Sequence, residues 1–297
     1  MSEPDLTESV DPAAAFAALS DDTRVDILRA LWAADDHRLG FAALREAAGV
    51  ADSGQFNYHL DKLVGRFVRK TDDRYELTPA GMHVNGAVTA GAYTMDGEME
   101  PVELDDTCPA CGGARTFRYE AETAVIECPD CAVSLAAAVP PGVFVDHDRA
   151  DAPRVAARYF RTIVGQVTNG FCAYCDGPVD PTVGTVATLA DDDEVPPEAP
   201  TGLPLVRYDC QRCTGEVTSD LGSAFVEHPA VAGFHYEHGV DVRERPFYRF
   251  AALTADRAAL RERDPVRASV TYAVGGAGLT LVVDETGEVC DIERSDE

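Results

Sequence analysis

The chain has 297 residues, enough for more than one domain with its own core, and it carries 52 acidic against 25 basic residues, a net charge of −27. Only Lys62 and Lys70 are lysines. Such an excess of carboxylates keeps a chain soluble at the expense of self-repulsion, which strong salt screens, so the composition suits a halophilic protein working in molar salt; the rival reading is an acidic chain with basic partners. The first residues, MSEPDLTESV, hold no basic or apolar signal segment. The longest apolar stretch, from Ala132 to Val145, is broken by Pro140, Pro141 and Gly142 and is too short to span a bilayer. A cytoplasmic protein without membrane contact is expected, with its thiols reduced.

From Asp11 to about Met95 the pattern predicts helices followed by a hairpin. Phe16, Leu19, Val25, Ile27, Leu28 and Leu31 recur at helical intervals, with Ser20 as a cap before Asp21-Asp22; Phe41, Leu44 and Ala48 continue the pattern to Gly49. In DSGQFNYHLDKLVGRF, Phe56, Leu60, Leu63 and Val64 form one apolar face, while Gly54, Gln55, Asn57, Tyr58, Asp61 and Lys62 form the opposite one. His59 lies at the edge of the apolar face, where a core role and a contact to nucleic acid are equally open. FVRK and RYELT then alternate as two strands around Asp72-Asp73. The segment AGMHVNGAVTAGAYTM reads as one more helix, whose small residues permit close approach either to its own domain or to a second subunit.

The stretches LSDDTRVDILRAL, FAALREAAGV, SGQFNYHLDKLVGRFVRK and YELTPAG together resemble ArsR-like winged helix-turn-helix transcriptional regulators of the haloarchaeal type, over residues 12–82. The resemblance implies a DNA-binding domain over residues 1–97, a homodimer joined through the terminal helix, and double-stranded DNA as partner. A recognition helix fits the major groove, where amides such as Gln55 and Asn57 can pair with adenine. The expected DNA contacts are Ser53, Gln55, Asn57, Tyr58, Lys62, Arg66, Arg69, Lys70 and Arg74. Over residues 53–75 five cations face three carboxylates, a local balance of +2 in a strongly negative chain. The bland alternative is a solvated helix face. One departure stands out: thiolate metal sensors of this family carry cysteines on or near the DNA-reading helix, and here none precedes Cys108.

Eight of the nine cysteines form four Cys-x-x-Cys pairs: Cys108/Cys111, Cys128/Cys131, Cys172/Cys175 and Cys210/Cys213. A two-residue spacer lets both sulfurs of a pair reach one ion, and two pairs complete a tetrahedral Zn²⁺ site, so two structural Zn²⁺ ions are expected. Glycine follows three of the pairs, where a positive φ would suit the turn. The first ribbon is placed at residues 98–140, with RTFRY and TAVIE as a hairpin around Glu120 to Glu122. The second is placed at 171–222, with VGTVATL and LPLVRYDC as strands around a mobile acidic loop, ADDDEVPPEAPTG. Sequential pairing of the knuckles is favoured over a cross-brace joining Cys108/Cys111 to Cys172/Cys175, and both remain open.

Residues 141–170 read as a linking helix, with Val155, Tyr159, Ile163 and Val167 on one side and Arg154, Arg158 and Arg161 on another. That arginine row suits a solvated stripe meeting carboxylates, with DNA or the acidic Asp191 to Glu194 as alternatives. Residues 223–297 read as a small α+β tail: a helix starting near Pro229 and ending at Gly239, then VRASVTYAV and a hairpin in which Cys290 alternates with Ile292 as a buried thiol. His228, His235 and His238 share a helix face without a nearby cysteine. The fold class is therefore α+β. No Walker loop, nucleophile elbow or open metal position is present, and no enzyme is expected. The expected function is sequence-specific transcriptional regulation with structural zinc, the C-terminal region being left to a protein partner or effector. The alternative is a zinc-stabilised adaptor whose winged helix docks a protein.

Overall fold

The computed structural model describes residues 10–131, 133–189 and 201–295. The chain is mixed α+β and divides into two compact units, residues 1–95 and 96–297. The acidic loop expected at Asp191 to Glu194, with any contact it makes to the arginine row, lies outside the described residues. Among the described residues no helix is long and apolar enough to cross a membrane.

The first unit runs α1 (Pro12–Ala17), α2 (Asp22–Ala33), β1 (Arg38–Gly40), α3 (Phe41–Ala47), α4 (Ser53–Leu63), β2 (Val68–Thr71), β3 (Arg74–Leu77) and α5 (Pro79–Thr89). Its sheet is antiparallel in the order β1-β3-β2. Asp72, at φ 54°, turns the β2–β3 hairpin. Ile27, Leu31, Leu44, Phe56, Leu60, Leu63 and Leu77 fill the core. Two expectations need correction. Asp21 rather than Ser20 caps α2, its carboxylate accepting from the Thr23 N–H at 3.0 Å. Phe16 is exposed, because α1 is too short to hold both of its sides against the core.

The second unit begins with a four-stranded antiparallel meander: β4 (Glu98–Thr107), β5 (Ala114–Glu120), β6 (Thr123–Glu127) and β7 (Ser134–Ala138). The expected hairpin is β5–β6, turned by Ala121 and Glu122, both at positive φ. Strands β4 and β7 were missed, one masked by its acidic residues and Pro101, the other by its run of alanine. After two 3-10 turns comes α6 (Ala152–Thr168), then β8 (Val179–Thr185), α7 (Val186–Leu189), β9 (Pro204–Cys210) and β10 (Glu216–Asp220), with sheet order β10-β9-β8. The run VGTVATL is thus only part strand; it ends as a helical turn. The unit closes with α8 (Leu221–Ala224), α9 (Pro229–Glu237), a 3-10 turn at Phe247–Arg249, and the meander β11 (Ala258–Arg263), β12 (Val266–Val274), β13 (Ala277–Asp284) and β14 (Val289–Ser295).

The segments separated above as ribbon (98–140), linking helix (141–170), ribbon (171–222) and tail (223–297) share two cores. Phe117, Tyr119, Ala156, Val164, Val242 and Phe247 belong to one; Val167, Val206, Tyr208, Phe234, Tyr272 and Leu281 belong to the other. Helix α6 contributes to both, so its buried residues spread well beyond a single stripe: Val155 and Val167 are buried as expected, but so are Ala156, Ala157 and Val164. Cys290 is exposed, contrary to the expected buried thiol. Strand β14 is a sheet edge whose residues are nearly all exposed, so alternation there marks no interior.

Candidate metal centres and a candidate nucleic-acid face

Each ribbon sheet brings two knuckles together by register. In the first, Thr116 opposite Glu127 sets the end of β6, just before Cys128, beside the start of β5, just after Cys111. In the second, Val179 opposite Cys210 does the same for β8 and β9. The cysteines therefore group sequentially: Cys108, Cys111, Cys128 and Cys131 in one cluster, Cys172, Cys175, Cys210 and Cys213 in the other, with all sulfurs of a cluster within 4.8 Å of one another. The cross-brace is excluded. Close sulfur pairs are Cys108–Cys131 at 3.6 Å and Cys111–Cys128 at 3.4 Å, then Cys172–Cys213 at 3.7 Å and Cys175–Cys210 at 3.5 Å. Four thiolates about 2.3 Å from a central ion would lie about 3.8 Å apart at the corners of a tetrahedron. The donor sets thus match a metal ion bound by four thiolates, with no position left for water.

All four knuckles share one backbone device. The N–H of the first cysteine donates to the carbonyl five residues on: Cys108 to Gly113, Cys128 to Val133, Cys172 to Gly177 and Cys210 to Gly215, at 2.8–3.2 Å. The first thiol of each pair is buried and the second partly or fully exposed. The positive φ expected of glycine is found on Gly112 in the first knuckle, but in the second ribbon it falls on Asp176 and Thr214, one residue before the glycine. The glycines at 113, 177 and 215 serve close approach instead. A Cβ on Gly113 would overlap the Asp130 carboxylate, one on Gly177 would sit 3.0 Å from the Arg212 Cβ, and one on Gly215 2.7 Å from the Tyr174 ring. Each of those neighbours lies between the cysteines of the opposing knuckle.

Backbone N–H groups also tune the thiols. Burial opposes ionisation of Cys108, but the Ala110 and Cys111 N–H groups outweigh it and hold the thiol at about 7. The Cys213 and Arg212 N–H groups bring Cys210 to about 6. Cys131 and Cys175 are each favoured by one N–H, yet burial and three adjacent sulfurs push them up to about 12. Four negative sulfurs so close need a cation between them. An ion network centred on one buried arginine precedes Cys108 at the first centre. Arg115, 3% exposed, holds Asp106 through two bonds and stacks over Tyr248, while Arg249 bonds both Asp105 and Asp106.

On α4, Phe56, His59, Leu60 and Leu63 are buried and Ser53, Gln55, Asn57, Tyr58 and Lys62 are exposed. Asp52 caps the helix through the Gln55 N–H at 2.6 Å, leaving the Gln55 amide outward. Asn57 bonds Asp61 at 3.0 Å, and Lys62 lies 5.5 Å from the Tyr58 ring. His59 faces inward, its Nδ1 3.3 Å from the Asp21 carboxylate without hydrogen-bond alignment. The hairpin cations are mostly engaged: Arg69 and Arg38 both pair with the buried Glu76, Arg74 holds Asp36 at 2.9 Å and the Arg38 carbonyl, and Lys70 lies over Tyr75. The Arg69 bond comes first among the causes that lower the pKa of Glu76. Arg66 is exposed in the turn between α4 and β2. Asp36 and Arg38 escaped the sequence reading; they lie more than thirty residues from the hairpin, and no local pattern signals the pairing.

The three tail histidines serve their own helix. His228 Nδ1 accepts from the Ala230 N–H, and the Nδ1 atoms of His235 and His238 bond the carbonyls of Val231 and Phe234.

Residues 12–88, which contain α4 and the hairpin, match the family described as Domain of unknown function (DUF7347). No curated protein and no solved structure matches the chain. Residues 105–289, which include both tetra-cysteine clusters, match the family described as Domain of unknown function (DUF7351), and because that match spans well over half of the chain, the chain belongs to this family.

Proposed function

We propose that the protein is a sequence-specific DNA-binding transcriptional regulator with an ArsR-like winged helix-turn-helix in its first unit and two structural Zn²⁺ ions in its second. The observation that carries this reading is the two-sided helix α4, with Phe56, Leu60 and Leu63 locked into the core and Gln55, Asn57, Tyr58 and Lys62 presented together. It follows α3 after a short turn and precedes a two-stranded wing, an order suited to laying α4 in a major groove. Zinc fits the tetrahedral sets of four soft thiolates, Cys108/Cys111/Cys128/Cys131 and Cys172/Cys175/Cys210/Cys213. With every position filled by sulfur, the metal stabilises fold rather than performing chemistry.

The test is selection of bound sequences from a random duplex pool, followed by gel shifts with variants. Gln55→Ala is expected to cost about 1–3 kcal/mol and to relax preference at one base pair. Asn57→Ala should cost less, because Asn57 must first release Asp61. No selected sequence, or no effect of either change, would favour the adaptor reading. That alternative has one observation on its side: Arg69 and Arg74, the expected phosphate contacts, are already paired with Glu76 and Asp36.

Salt dependence provides a second expected result. Each phosphate neutralised releases counterions, so affinity falls with salt in proportion to the number of such contacts. With Arg69 and Arg74 engaged internally, few cations remain for phosphate, and specificity rests on base edges and groove shape. The slope of log K against log salt is expected to be shallow, about 2–4 in magnitude, with binding retained in molar KCl. A steep slope with binding lost well below molar salt, while the protein stays folded, would contradict this.

A further inference from the structure

As expected of a solvated row, Arg154 and Arg158 are exposed and Arg161 meets a carboxylate, Glu227, but the row also has a facing wall. Arg154, Arg158 and Arg161 form one wall of a cleft of about 370 Å³, whose facing wall is the segment from Arg243 to Phe247. Arg161 builds the cleft. Its guanidinium donates to the carbonyls of Val242 at 2.6 Å and Arg245 at 3.3 Å, reaches the Glu227 carboxylate at 3.4 Å and lies 5.1 Å from the Phe247 ring. These contacts clamp the segment against the helix and place Arg243 and Arg245 across from Arg154 and Arg158. Arg243 is spent on Asp241 through two bonds of 2.9 and 3.1 Å. Arg154, Arg158 and Arg245 have no carboxylate partner among the described residues. Asp151, Glu244 and His147 also line the cleft; with Arg161 paired to Glu227 and Arg243 to Asp241, the guanidiniums of Arg154, Arg158 and Arg245 remain against two carboxylates.

Three guanidiniums without a carboxylate partner, gathered in one concavity of a chain of net charge −27, form a local positive site that an anion can join. We propose that this cleft binds a small multivalent oxyanion, a phosphorylated or polycarboxylate metabolite, gripped by Arg154 and Arg158 from the helix and by Arg245 from the facing segment. Several requirements point to multivalency. A single exposed ion pair contributes little and is screened by salt. Four residues of helix place Arg154 and Arg158 about 6 Å apart along the axis, a span that a ligand with two or more oxyanion groups can cover. Arginine forks bind phosphate and carboxylate through paired, charge-assisted bonds, and Arg161 has already ordered the facing wall. The site lies wholly in the second unit, and the proposal stands whether or not the first unit binds DNA.

The experiment uses the full-length, metal-loaded protein and titration calorimetry in KCl, with pyrophosphate and citrate as separate probes for the phosphate and carboxylate sources. Saturable binding of one or both is expected. Arg158→Ala and Arg154→Ala should each weaken it about tenfold, and Arg158→Lys, which keeps the charge but loses the fork, should fall between wild type and Arg158→Ala. Arg263→Ala, an exposed arginine of the tail, should leave affinity unchanged, and circular dichroism checks that every variant remains folded. The proposal is overturned if neither probe binds, if Arg263→Ala weakens binding as much as Arg158→Ala, or if the α6 substitutions change only affinity for duplex DNA.

Discussion

Metal analysis of the purified chain is expected to return two zinc ions per molecule, and Cys210→Ser is expected to return one. The larger consequence is loss of the second unit. Structural zinc bound by four thiolates contributes on the order of 10–16 kcal/mol of apparent binding free energy in small folded units, whereas a whole domain is stable by only about 5–15 kcal/mol. Cys210 ends β9, whose Val206 and Tyr208 lie in the core shared with Phe234, Tyr272 and Leu281. Without the ion, the first cysteine turn of β8 and the last of β9 lose their tie at the point where Val179 faces Cys210. Helix α6 then carries the damage across, because Val167 is in this core and Val164 in the other. A local loss confined to one ribbon is therefore not expected; residues 96–297 should unfold together, while residues 1–95 keep their own transition. Cys108→Ser should act in the same way from the other centre. Differential scanning calorimetry, with metal counted by mass spectrometry, checks both statements. Purified protein without zinc, or native protein whose paired cysteines form disulfides, would refute the zinc assignment.

Gly81→Ala is expected to damage the first unit and leave the second intact. Helix α5 starts with Thr78, whose Oγ1 accepts from the Gly81 N–H at 3.1 Å and donates to the Arg66 carbonyl at 2.5 Å. These bonds press Gly81 onto the backbone at Phe67, where an added Cβ would overlap the carbonyl oxygen and crowd the Leu77 side chain. A carbonyl held between Phe67 and Thr78 cannot swing aside as a flexible side chain would. Alanine elsewhere in a helix gains up to about 1 kcal/mol over glycine, but here overpacking should exceed that gain and cost about 2–3 kcal/mol net. For a unit of this size the melting temperature should fall by about 10–20 °C. Gly86, in the same helix, meets nothing within 4 Å, so Gly86→Ala should be neutral or stabilising. Equal effects of the two substitutions in thermal melts would sink the argument.

Much of this molecule was legible because its signals are local. The Cys-x-x-Cys spacing, the two faces of α4, the turn at Asp72 and the helix from Pro229 to Gly239 each depend on residues within one or two turns of chain. The sequence alone therefore determined the α+β class, the eight thiols that converge, and the side of α4 that is exposed. Tertiary structure decided the rest. Which knuckles share a cluster depends on strand register, and no property of the cysteines themselves distinguishes sequential pairing from a cross-brace. The glycines behind the knuckles looked like conformational devices, yet Asp176 and Thr214 adopt the positive φ while Gly177 and Gly215 make room for the opposing knuckle. Arg69 and Arg74 read as free cations until β1 brought Arg38 to share Glu76 and the residues before it brought Asp36 to Arg74. The exposed row on α6 read as a solvated stripe, and its facing wall went unseen because that segment, Arg243 to Phe247, lies some eighty residues away. Burial and charge pairing are properties of what lies opposite a residue, and what lies opposite is set by the packing of distant segments.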